Sequence, residues 1–93
     1  SPVKADPAAG QLLVSLRIDS EAVVRSNCIW ALGRLMDQLV QPRQAEIVEA
    51  LVSALLHDGE ISVRDEARTA LEQLEDPLVL ERLQALINDG FIL

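Results

Sequence analysis

Nucleophilic catalysis needs a cysteine or hydroxyl side chain within reach of an imidazole base. The chain has one cysteine, Cys28, and one histidine, His57. Cys28 lies on the apolar stripe of one helical segment, which marks it as a small core residue of low reactivity. His57 ends a different segment, where an imidazole interacts with the negative end of the helix dipole. The pair is therefore not expected to react together. A single histidine is too few for an imidazole-rich metal site, and a single cysteine excludes an internal disulfide or a cysteine-based zinc site. Four scattered glycines, Gly10, Gly33, Gly59 and Gly90, do not form a phosphate-cradling loop. Neither a catalytic residue nor a cofactor or metal site is expected.

Two other constellations have chemistry in them. Asp19 stands six residues before Arg25, and Asp58 stands six residues before Arg64. An arginine at that spacing forks onto carboxylates and carbonyls of a turn in its own or an adjacent segment. The expectation is a structural ladder through Asp19, Arg25, Asp58, Arg64 and Asp89, with an anion site at Arg25 and Arg64 as the alternative. The second constellation is a surface face. Asn27, Trp30 and Arg34 recur at helical spacing, offset from the apolar stripe, and Glu66, Thr69 and Gln73 occupy the corresponding places further on. An exposed tryptophan beside an arginine has the composition of an interface hot spot. The alternative packs Trp30 beneath the segment around Leu39 and Val40.

The elements that must position these residues follow from composition and periodicity. Ninety-three residues are enough for one domain, and aromatics amount to Trp30 and Phe91 alone. A core of Leu, Ala, Val and Ile favours helices, and the fold class expected is all-α. Leu12, Leu13 and Leu16, then Val24, Cys28, Ala31, Leu32 and Leu35, recur at i, i+3, i+4 and i+7. Proline after Asp6, Gln41 and Asp76 marks first helical positions. The pattern predicts first helices over 7–18, 42–57 and 77–89, and second helices over 21–39 and 61–75. Ser20 and the turn Asp58-Gly59-Glu60 introduce the second helices, and Gly90 ends the last first helix. No stretch is apolar enough for a membrane span or a signal peptide, so a cytoplasmic protein is expected. The net charge of −7 disfavours nucleic acid as a partner. Ser1-Pro2 is not an initiation sequence, which suggests processing or excision from a longer chain. Acidic residues Asp65, Glu66, Glu72, Glu75 and Glu81 gather late in the chain and Arg17, Arg25, Arg34 and Arg43 early; this reads as a solvated surface.

The helices form an internal repeat. The stretch from Asp19 to Arg25 aligns with that from Asp58 to Arg64, and Ala31, Leu32 and Leu35 align with Ala70, Leu71 and Leu74. A partial third copy begins at Asp76-Pro77. The copies span about 7–39, 42–75 and 76–90, within a single domain over 1–93, with extra residues inserted after the first copy. The motifs Val24-Arg25-x5-Ala31-Leu32-Gly33-x-Leu35 and Val63-Arg64-x5-Ala70-Leu71-x2-Leu74, each preceded by an aspartate, resemble HEAT repeats. They are most similar to the short bacterial kind found in phycobilin lyase subunits and related phycobilisome proteins. The resemblance implies a right-handed α-solenoid of about two and a half hairpins and five helices. HEAT-repeat iron hydroxylases of the deoxyhypusine kind carry His-Glu pairs where this chain has Ser26-Asn27 and Asp65-Glu66, so without the histidines that iron site cannot be built in the same form.

The function expected is protein binding or scaffolding through the second-helix face, by Asn27, Trp30, Arg34, Glu66, Thr69 and Gln73. One alternative, implied by the resemblance, is a subunit or fragment of a phycobilin lyase-like protein acting on phycobiliprotein chromophores. Another is a regulatory fragment of a longer solenoid. The apolar tail Phe91-Ile92-Leu93 covers the last hairpin, joins a dimer or continues a longer stack.

Overall fold

A computed structural model describes residues 2–92, with side chains from Lys4 to Ile92. Five α-helices follow one another: α1 (Pro2–Ile18), α2 (Ala22–Leu35), α3 (Arg43–His57), α4 (Ile61–Gln73) and α5 (Pro77–Asn88). A single 3-10 turn, Met36–Gln38, extends α2. There is no strand among the described residues. The helices form an all-α solenoid slab two helices thick, with principal extents of 39 × 31 × 17 Å.

The apolar stripes explain the layering. Ile29 and Leu32 of α2, Ile47 and Leu51 of α3, and Val63 and Leu71 of α4 are fully buried in one continuous core. Burial of each such aliphatic side chain is worth about 1.5–3 kcal/mol. Cys28 is buried beside them, and its burial pushes the thiol pKa up. Ile29 does not belong to the stripe read from the sequence, yet it is central because α2 is covered on two sides, by α1 and by α4. Val24, Ala31 and Leu35 are only half-buried.

Several helix boundaries differ from those the sequence predicts. Pro7 lies inside α1 rather than at its first position. At that depth its missing N–H forfeits one bond, to the carbonyl four residues back, and the helix continues. Pro42 precedes α3 as its N-cap, and the Gln41 side-chain oxygen accepts the Ala45 N–H at 3.1 Å. Asp76-Pro77 does open α5 as expected: the Asp76 carboxylate accepts the N–H groups of Leu78 and Val79. Ser20 does not cap α2. Glu21 holds the N-cap position, and Asp19 closes the turn by accepting the Glu21 N–H at 2.8 Å. Asp58 does the same for Glu60 at 3.0 Å. Gly90, at φ 81°, terminates α5 in a Schellman arrangement, with its N–H on the Ile87 carbonyl and that of Phe91 on the Leu86 carbonyl. Phe91 is exposed, Ile92 packs against the core, and Leu93 lies outside the described residues.

The two layers pack unequally. Helices α2 and α4 meet along their length, whereas α1 and α3 touch sparsely. Closer approach on one side than on the other curves a stack toward the tight side. The second helices therefore line the inner face.

Candidate partner-binding face

The turn aspartates and helix arginines meet between the two hairpins. Arg25 donates from Nε and Nη2 to the two oxygens of Asp58, at 2.9 and 3.0 Å, and from Nη1 to the Asp19 carbonyl at 3.0 Å. Arg64 donates to the carbonyl of its own turn, Asp58, at 2.7 Å. The hydrogen bonds from Arg25, followed by the N–H of Glu60, hold the Asp58 carboxyl below the usual carboxylate range, with burial opposing them. The same contact raises the Arg25 pKa. Asp89 is exposed at the end of α5 and makes no ion pair with Arg64. The fork thus commits three of the five N–H donors of Arg25 to the protein itself.

The inner face has a different character. Trp30 is 57% exposed, although it is the largest side chain in the molecule. The segment expected as an alternative cover does not reach it: Leu39 turns into the core and Val40 stands in solvent. The Arg34 guanidinium lies 5.4 Å from the centroid of the indole ring, one helical turn on. Such a cation–π contact is worth about 0.5–1 kcal/mol at an exposed site. It also orders both side chains without using the N–H donors at the edge of the guanidinium.

Between α2 and α4 these residues border a groove of about 180 Å³ with Gly33 and Ala70 at its base and Glu66 and Gln73 on the opposite wall. Gly33 leaves room at its floor. A Cβ built there would lie 3.7 Å from that of Ala70, an ordinary contact, so the helices could pack equally closely around an alanine. Past Gly33 the groove opens toward Asp37, Gln44 and Asp76 at the helix ends. Asn27 and Thr69 are exposed on the same two helices but do not line it. The Gly33 opening is the feature that sequence reasoning missed. A lone helical glycine signals either close packing or a vacancy, and only the position of Ala70 separates the two.

Among the described residues no group of three His, Cys, Asp or Glu side chains gathers in a way that could hold a metal ion. His57 lies on the outer layer, away from Cys28. No helix is long and apolar enough to cross a membrane. A family model described as HEAT repeats matches residues 7–91. No curated protein and no solved structure matches the chain.

Proposed function

Because the chain belongs to the HEAT repeat family, whose repeats commonly mediate contacts between proteins, we propose that it is a protein-binding module whose inner face captures a partner through Trp30 and Arg34. The observation that carries this reading is the exposure of Trp30. An indole left exposed beside a guanidinium and an open groove forgoes burial that a partner can supply. Glu66 and Gln73 add polar contacts across the groove, and Asn27 and Thr69 extend its rim. The same position in the second hairpin is Thr69, so the fold itself does not require an aromatic there.

The likeness to phycobilin lyase subunits is carried by Val24, Arg25, Ala31, Leu32 and Gly33. Leu32 is in the core and Arg25 is in the fork. That likeness therefore speaks to the repeat rather than to a chromophore.

Photo-crosslinking from position 69 in the producing cell identifies the bound protein. Trp30→Ala together with Arg34→Ala should lower crosslinking at least about tenfold, since truncated hot-spot residues each cost about 2 kcal/mol or more. Gly33→Leu, which fills the groove, should do the same while the circular dichroism spectrum stays unchanged. Crosslinking that survives both changes would show that the inner face is not the binding surface.

A further inference from the structure

The outer layer holds a larger groove, of about 810 Å³, between α1 and α3. Leu13 and Leu16 line its α1 side, and Ala45, Ala50 and Ala54 its α3 side. Hydrophobic collapse would close such a gap between two helices. An ion pair spans it instead. Near one end Arg43 reaches from α3 to α1, donating to the two oxygens of Asp6 at 2.9 and 3.4 Å. It passes over Gly10, where an added Cβ would lie 3.3 Å from its Nη2. At the other end the Arg25 fork fixes the Asp58 turn that closes α3.

The charges at the groove are unevenly satisfied. Glu46 is paired with Arg43, Glu49 with Arg82, and Asp58 with Arg25. Arg17 and His57, in the last turns of α1 and α3, have no carboxylate partner among the described residues. The groove therefore offers a partly exposed apolar floor, Ala45 and Ala50 beside the buried Leu13, Leu16 and Ala54, and at one end a cation, Arg17, without a carboxylate partner among the described residues. We infer that the outer groove is a second docking surface, one that takes a short aliphatic segment of another protein with a carboxylate that meets Arg17. This surface is separate from the Trp30 face, and either could exist without the other.

The test titrates the isotope-labelled full chain with two peptides at millimolar concentration, acetyl-Leu-Leu-Glu-Leu-amide and acetyl-Leu-Leu-Lys-Leu-amide. The glutamate peptide should shift the amide resonances of Ala50, Ser53 and Ala54 and the Arg17 side chain. The lysine peptide should bind about threefold more weakly, the size of one exposed ion pair. Arg17→Glu should reverse that order. Ser53→Trp, a change at an exposed position in the groove, should abolish both responses while the spectrum stays dispersed. The inference is overturned by the absence of shifts at these residues, by equal responses to the two peptides, or by shifts confined to Trp30 and Gly33. Loss of the shifts at Ala50, Ser53 and Ala54 leaves crosslinking from position 69 untouched, so the two surfaces stand or fall separately.

Discussion

Asp58 serves three partners with one carboxylate: both donors of the Arg25 fork and the N–H of Glu60. The spacing in the sequence placed Asp58 and Arg64 in one turn. It did not decide that the side-chain fork would reach across from the preceding hairpin, because that depends on how the hairpins stack. The fork makes stability depend on pH in a definite direction. The carboxyl is held below its ordinary value in the folded chain, so its contribution is fully present above the unfolded pKa, about 3.9. It is lost as the pH falls through the depressed folded value. Asp58→Asn retains an acceptor for Glu60 and removes the ion pair. The variant should melt about 5 °C lower at neutral pH, a shift typical of one modest interaction in a domain of this size. The difference from the parent chain should shrink as the pH is lowered from 4 toward 2. Thermal melts over that range check it, and a constant difference would mean that the fork contributes nothing through charge.

At the scale of elements, the five helices and their two layers were legible because apolar periodicity and the repeated Asp-to-Arg spacing agree. The boundaries were less so. Pro7 and Pro42 look alike in sequence to Pro77, but only Pro77 follows an N-cap residue whose own side chain accepts helix N–H groups. The connection after α4 hides a strained position that no pattern reveals. Glu75 adopts φ 54°, the left-handed conformation that glycine takes after many helices and that carries a steric cost for any residue with a Cβ. Its side chain is exposed and makes no ion pair among the described residues. Glu75→Gly should therefore raise stability by about 0.5–1 kcal/mol despite the greater freedom of glycine in the unfolded chain. Urea denaturation measures this directly, with an unchanged m-value showing that only local strain was relieved.

Across the whole molecule the stack is asymmetric. Gly33 of α2 faces Ala70 of α4, and the counterparts of Ile29 and Gly33 in the second hairpin are Arg68 and Glu72. Arg68 and Glu72 pair with each other at 3.4 Å along the surface of α4. The second hairpin thus presents charged side chains where the first presents an apolar face. Helix α5 stands outside this arrangement. It buries only Val79 and Leu83, leaves Leu78 and Leu80 exposed, and touches α4 sparsely. Its ion pair to α3, between Arg82 and Glu49, joins two exposed side chains and adds little. In a quasi-linear stack each unit is held by its neighbours alone, so the least covered element opens first. Amide hydrogen exchange should accordingly rank α5 as the first helix to lose protection, with α2 and α4 exchanging last and together. Equal protection of α5 and α2 would instead require a single cooperative unit in which the exposed fifth helix is held as firmly as the core, contrary to its thin burial.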